Sequence, residues 1–318
     1  SQDLAFDATL PFQVHRIPRS RLVFWTYWQR VLQVLRLGKH YSSETVLLSG
    51  KFSLWLGGFL TLFYSPLTLA VIHGSELKAG GKMSRLLTRW SLTRFKKIVA
   101  VSHFTADLVA KTQSNLPLTI INNGFSMDSV PFLMRNPEPL RLVTVGNVTY
   151  RKGQQNVIRA LPLLALHFPS VHYDIVGLPT EQEAFTALAQ SLGVSERVTF
   201  YGALDTASLH KVLERATLFM MLSDQLKNGD VEGFGIAVLE ANSIGIPAIG
   251  SQKSGISDAI QNGNNGLLVS PHDPQEILDA ITTVLYYYDG YQLRACEWSK
   301  RFRWDKVILQ YLDCLKNE

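Results

Sequence analysis

Short apolar runs alternate with longer segments of helical spacing almost from end to end, and this alternation restricts the chain to very few architectures. In the first half the strand-like runs are residues 45–48, 67–72, 98–101 and 118–121. Helical spacing marks 25–37, 52–63, 86–95 and 104–111. A short alternating piece, 12–17, ends at Pro18 and predicts an early or edge strand. The polar, proline-bearing stretch 134–139 then breaks the pattern and reads as a linker. Beyond it strands are expected at 141–145, 172–176, 198–201, 218–222, 247–250 and 266–269. Helices are expected at 156–167, 181–192, 206–215, 236–243 and 274–287. Strands joined by helices in this way are parallel and covered on both faces, so each series predicts a doubly wound α/β domain. The length of 318 residues suits two such domains, and 46% hydrophobic against 18% charged residues supports packed cores.

Ligands of doubly wound sheets sit at the carboxyl ends of the strands. The densest chemistry there is Asp230-Val-Glu-Gly-Phe-Gly-Ile-Ala-Val-Leu-Glu240, which follows the run 218–222. Gly233 and Gly235 flank Phe234 where a helix is expected to start. Glycines there admit a ligand close to the backbone, and the first free N–H groups of the helix attract an anion. Glu232 precedes the turn, and Glu240 lies about two helical turns on. An anion cradle with two carboxylates that accept hydroxyl protons suits a phosphorylated sugar. A buried strand, loop and helix with a solvated glutamate would read the same way. After the run 141–145 come Gly146 and then Arg151-Lys152-Gly153. Arg151 can fork two oxygens of a diphosphate and Lys152 can add a point charge, although a solvated basic turn has the same composition. His73-Gly74 closes the run 67–72. It is placed to bond a hydroxyl, or to serve as a structural histidine.

Other classes are disfavoured by what the sequence lacks. There is no Walker pattern, no Gly-x-Ser-x-Gly elbow and no Gly-x-Gly-x-x-Gly fingerprint, and no Cys/His/Asp cluster has metal spacing. No motif suggests nucleic-acid binding. Cys296 and Cys314 make no disulfide framework, so a reducing, cytoplasmic compartment is expected. The chain opens on Ser1-Gln-Asp-Leu without a basic-then-apolar leader. Residues 52–72 have the length of a membrane span, but Gly57-Gly58 and Pro66 predict a buried helix, a turn and a strand instead. The net charge is +5, and the basic stretches 16–39 and 82–97 carry Trp25, Trp28, Trp90 and Phe95. Such faces suit either plain solvation or a peripheral contact with anionic lipid at the inner face of a membrane.

Glu232-Gly-Phe-Gly…Glu240-Ala, with seven residues between the glutamates, resembles the E-x7-E motif of retaining GT-B glycosyltransferases of family four, the glycosyl transferases group 1. Val71-Ile-His73-Gly74, Val99-Ala-Val-Ser102, Ile121-Asn-Asn-Gly124, Val145-Gly146…Arg151-Lys-Gly153, Arg197-Val-Thr-Phe-Tyr-Gly202, Gly245-Ile-Pro247 and Asn265-Gly266 are similar to further pieces of that family in the same order. The resemblance implies two Rossmann-like domains facing a cleft. Residues 1–134 would form the acceptor side, 135–296 the nucleotide-sugar side, and 297–318 a helix that crosses back. It implies that Arg151 and Lys152 hold the donor diphosphate. Glu232 and the amides of Gly233, Phe234 and Gly235 would meet sugar and phosphate, and Glu240 the ribose. His73 would face the sugar's 6-position, and Tyr201 and Gly202 the base. His73, Lys152 and Glu232 are the implied catalytic set. No metal and no cofactor are expected. The donor would be a nucleoside-diphosphate sugar, uridine favoured and guanosine compatible, and the acceptor a glycan or a lipid-linked group. A non-catalytic nucleotide-sugar-binding subunit and a sugar-nucleotide epimerase are the alternatives. Two departures stand out. The family's opening strands and glycine-rich loop have no counterpart, as if about 50 residues were absent from the first domain. Also, Ser254-Gly-Ile-Ser-Asp258 stands where Gly-Gly-x-x-Glu is usual.

Overall fold

The structure is a computed structural model that describes residues 6–17, 21–41, 45–78, 81–126, 132, 134–226 and 230–316. Two parallel sheets organise it. The first joins β1 (Thr45–Ser49), β2 (Leu67–Ile72), β3 (Lys97–Ala100) and β4 (Leu118–Ile120) in the order β1-β2-β3-β4. The second joins β5 (Arg141–Val145), β6 (His172–Val176), β7 (Val198–Gly202), β8 (Leu218–Met221), β9 (Ala248–Ser251) and β10 (Gly266–Val269) in the order β10-β9-β8-β5-β6-β7. The first strand of that sheet, β5, therefore lies at its middle, between β6 and β8. Chain order reverses there, and the β5–β8 boundary is a topological switch point.

Burial on both faces explains why these strands read as unbroken apolar runs. β3, for instance, buries Ile98, Val99 and Ala100 completely. Helices Gln154–His167 and Pro274–Tyr286 cover one face of the second sheet, around Leu142, Ile175, Leu218 and Met220. Phe219, Met221, Val238 and Leu239 lie on the other face, in a core that also takes up Val71, Val99 and Ile121 of the first sheet. Helix Trp304–Lys316 returns the chain to the first sheet: Phe125 bridges to Arg303, and the Lys97 ammonium donates to the Cys314 carbonyl.

Several expectations need correction. Residues 13–17 form no strand, because no partner edge adjoins them. Gln13 instead accepts from the Tyr41 hydroxyl at 2.6 Å, and Arg16 pairs with Asp7. The stretch 52–72 is, as its glycines and Pro66 predict, a helix, Lys51–Leu60, followed by a turn and β2. Among the described residues no helix is long and apolar enough to cross a membrane. Phe95 lies beyond the end of helix Lys82–Leu92 and is buried in the first domain's core, so it belongs to no lipid-facing surface. Helix Tyr288–Ser299 was not expected at all.

Candidate active site

The two segments that leave the switch point, after β5 and after β8, build one wall of a cleft. After β5 the chain makes a single 3-10 turn, Tyr150–Lys152, and then enters helix Gln154–His167 through Gly153. Gly153 is left-handed (φ 80), and a Cβ on it would stand 1.8 Å from the carbonyl oxygen of Leu222. Only glycine lets the Arg151-Lys152 turn lie this close to the end of β8. Gly146 acts similarly. Its open α-carbon leaves room for the Lys152 side chain, whose Cε would be 3.1 Å from a Cβ there. Behind the turn, the Asp224 amide donates to the Arg151 carbonyl, and the Asp224 carboxylate accepts from Gln155 and Asn156.

Both cations meet one carboxylate. Lys152 Nζ lies 2.8 Å from Glu232 Oε2, and Arg151 Nη1 donates to the same oxygen. Arg151 Nε also reaches Asp230 Oδ2 at 3.3 Å. Glu232 is only 8% exposed. Burial works to raise its pKa, but Lys152 and Arg151 together outweigh burial and hold it below the ordinary value of 4.5. Glu240, on the helix Ile236–Ser243 that follows, is pushed the other way. Burial raises its pKa, and Lys152 opposes that only in part.

Gly235 is left-handed (φ 92) and opens that helix, so the unpaired N–H groups of its first turn face the cleft. The Phe234 side chain turns away into the core, 5.8 Å from the Phe302 ring, and its backbone remains at the cavity. Gly233 touches the other domain. A Cβ there would stand 2.1 Å from the carbonyl oxygen of His73. The His73 ring bonds Ser49 at 3.1 Å, while the backbone amides of His73 and Gly74 donate to buried Glu76. The resulting cavity of about 350 Å³ is lined by His73, Asn123, Arg151, Lys152, Glu232 and Gly233–Ala237, among others. That size accommodates a small ligand.

Of the residues singled out from the sequence, the structure thus gathers His73, Arg151, Lys152, Glu232, Gly233, Phe234 and Gly235 at one cavity. Gly146 backs Lys152, and Glu240 sits within electrostatic reach of it. Tyr201 and Gly202 lie outside the lining. The Tyr201 hydroxyl is engaged with Asp174 at 3.3 Å and with Arg215 at 3.2 Å, whereas the space beside the Gly202 α-carbon is open. Three participants lie in stretches that the sequence marks without giving them a role. Asp230 shares Arg151, Asn123 lines the first-domain side, and Asp258 joins the two domains. Asn123 had a usable signal, since Asn122-Asn-Gly124 follows β4 at a carboxyl end. Among the described residues no three His, Cys, Asp or Glu converge as a metal-binding group.

The family model described as glycosyl transferases group 1 matches residues 131–292, half of the chain. A glycogen synthase of Mycobacterium tuberculosis is 29% identical over 238 residues, 71% of this chain and 56% of that protein. A GDP-mannose-dependent alpha-(1-6)-phosphatidylinositol monomannoside mannosyltransferase of the same species is 30% identical over 182 residues, 56% of this chain and 47% of its own. The chain thus spans about half the length of the curated relatives it matches. Among solved structures, Anabaena Alr3699/HepE in complex with UDP and glucose superposes with a TM-score of 0.78 at 18% identity, over 100% of this chain and 89% of that one. The two parallel sheets and this likeness identify the fold as GT-B.

Proposed function

This chain belongs to the glycosyl transferases group 1 family, and from that premise we propose that it is a retaining, metal-independent glycosyltransferase acting on a nucleoside-diphosphate sugar. One observation carries the reading: Arg151, Lys152 and the helix mouth at Gly233–Gly235 converge at the switch point of the second sheet. As the glycosidic bond breaks, charge gathers on the leaving diphosphate. Two cations and a row of oriented N–H groups can stabilise that charge. Glu232 and His73 then face the sugar from opposite domains, and Glu240 takes a ribose hydroxyl. Front-face attack by the acceptor would retain the anomeric configuration. A pair of acid/base carboxylates flanking the bond, as in glycosidases, is not required. A uridine nucleotide is the favoured base, in keeping with the UDP held by the Anabaena protein, and the mannosyltransferase relative makes guanosine the alternative. The test is calorimetric binding of UDP and GDP, followed by release of nucleoside diphosphate from UDP-glucose and GDP-mannose in the presence of glycan or lipid acceptors. Tight binding without transfer to any acceptor would favour a non-catalytic subunit. Loss of both binding and release would remove the reading.

The acceptor class follows from the first domain. Residues 8–106 carry fourteen lysines and arginines against two acids, Glu44 and Glu76. Exposed Phe59, Leu62, Phe63, Met83 and Leu86 stand among exposed Lys82, Arg85, Arg89 and Arg94. Such a surface suits an anionic bilayer, each cation contributing about 1 kcal/mol close to it. A lipid-linked acceptor at the membrane is therefore proposed, with a polysaccharide end as the second candidate. Flotation with phosphatidylglycerol vesicles should show binding that is lost as salt rises, and absence of binding at low salt would discard the lipid surface.

A further inference from the structure

Asp258 belongs to the second domain, on the short helix Ile256–Ala259, yet its carboxylate serves the first. Its Oδ2 accepts from the His103 amide at 2.9 Å, from His103 Nδ1 at 2.9 Å and from Asn122 Nδ2 at 3.1 Å. His103 is the first residue of helix His103–Thr112, whose N-cap, Ser102, already accepts from Thr105. The His103 N–H is one of the donors that an α-helix leaves unpaired at its start, and the positive end of the helix dipole faces the carboxylate. The Asp258 side chain is 8% exposed, so its carboxylate is largely shielded from water although the His103 ring lies at the surface. A helix of one domain is thus completed by an acid of the other.

The same short helix is tied to the site wall. The Gly255 amide donates to the Glu232 carbonyl at 3.0 Å, and a Cβ on Gly255 would stand 2.0 Å from the Gly233 carbonyl oxygen. The Asp258 amide donates to the Gly255 carbonyl at 3.2 Å. Only a few backbone bonds separate the Asp258 carboxylate from the loop that carries Glu232 and Gly233. We propose that Asp258 is a positioning residue that clasps the two domains together, so that His73 of the first domain is held against the Gly233–Gly235 loop of the second. The kinetic part rests on the donor assignment above, and the geometric part does not.

The test uses the full chain and three variants. His103→Pro removes both the backbone donor and the imidazole, and proline is favoured at the first position of a helix. Asp258→Ala removes the acceptor, and His103→Ala spares the backbone bond. Circular dichroism and thermal melting verify folding. Small-angle scattering measures domain separation, and hydrogen exchange measures opening of the peptide that bears Gly233–Gly235. In His103→Pro and Asp258→Ala the radius of gyration and the exchange rate should rise. UDP affinity should stay within about threefold, because its contacts lie in the second domain, while release of UDP from UDP-glucose should fall by about ten- to hundredfold, the loss expected for hydrogen bonds to a charged group. His103→Ala should lose much less. Unchanged scattering and exchange in both strong variants overturns the clasp, and separated domains with undiminished release overturns the positioning role. If the unaltered protein binds neither UDP nor GDP, the donor assignment fails while scattering and exchange still decide the clasp.

Discussion

Replacing Gly233 by alanine should damage turnover far more than it damages folding. The added Cβ would lie 2.1 Å from the His73 carbonyl oxygen, and ordinary contact begins at 3.4 Å, so about 1.3 Å of separation is needed. Neither partner can rotate away, because one is backbone and the other a Cβ. On the first-domain side, Glu76 pins the His73 and Gly74 amides. On the second-domain side, Gly255 presses against the Gly233 carbonyl from behind. Relief must therefore come from moving the domains apart at the cleft. A misplacement of about 1 Å between reacting groups costs on the order of 100-fold in rate. The cores of both sheets are untouched, so the melting temperature should fall by no more than about 3 °C. Release of nucleoside diphosphate from the donor, calorimetric nucleotide binding and thermal melting are measured side by side. Gly193→Ala is the control: that glycine is left-handed (φ 67) with open space around it, so alanine adds backbone strain of about 1 kcal/mol without touching the cleft. Wild-type kcat/KM in Gly233→Ala would refute the reasoning, because the contact would then be neither tight nor functional.

Lys152→Ala should slow donor turnover by about 100-fold while weakening UDP binding much less, since the charge it stabilises develops during bond breaking. Glu240→Ala should weaken UDP binding by about tenfold through a lost ribose contact, and unchanged turnover in both variants would remove the site assignment. Asp230→Asn should strengthen UDP binding by about twofold at low salt and by less at high salt, because a half-exposed carboxylate stops competing for Arg151. In acid, the stability contributed by Glu232 is fully present above pH 4.5 and is lost as pH falls through its depressed value. Melting curves of Glu232→Gln should therefore be flatter than wild type over that acid range, and parallel curves would contradict the ion cluster.

The second domain was legible because its physics is local. Parallel strands buried on both faces leave continuous apolar runs, and β5, β6 and β10 occupy the residues that those runs marked. The helix mouth was legible for a similar reason: two glycines and an apolar run mark a strand-to-helix turn without any long-range information. Helix Tyr288–Ser299 left no such trace. It buries Gln292 and Ser299 together with Tyr288, Tyr291 and Ala295, so polar and apolar residues share one face against helix Ile236–Ser243. The alternation at 12–17 misled because period-two patterning makes a strand only where an edge is available to pair with. Contacts across the cleft were illegible throughout. Nothing in spacing relates Asp258 to His103, which are 155 positions apart, or Gly233 to the carbonyl of His73.

The two glutamates of the x7 pair show how much the structure adds to a spacing. Sequence treats them alike, as carboxylates some two turns apart that can accept hydroxyl protons. In the fold, Glu232 receives both cations on one oxygen and is held ionised, whereas Glu240 has only a distant share of Lys152 and is burdened by burial. With Asp230 included, two cations are matched by two carboxylates, so the cluster is close to neutral before any ligand arrives. In the proposed reaction a diphosphate would bind by exchanging partners, with Arg151 and Lys152 turning part of their hydrogen bonding from Glu232 to phosphate oxygens. Glu232, relieved of that pairing, would then be available to a sugar hydroxyl as the proposed donor is seated. For Glu240 the consequence is opposite. Burial raises its pKa, so keeping it ionised costs folding stability, and Glu240→Gln should raise the melting temperature of the unliganded protein near neutral pH by about 2 °C. A lower melting temperature in that variant would mean that Glu240 is held ionised by partners of its own, and the division of labour between the two acids would fail.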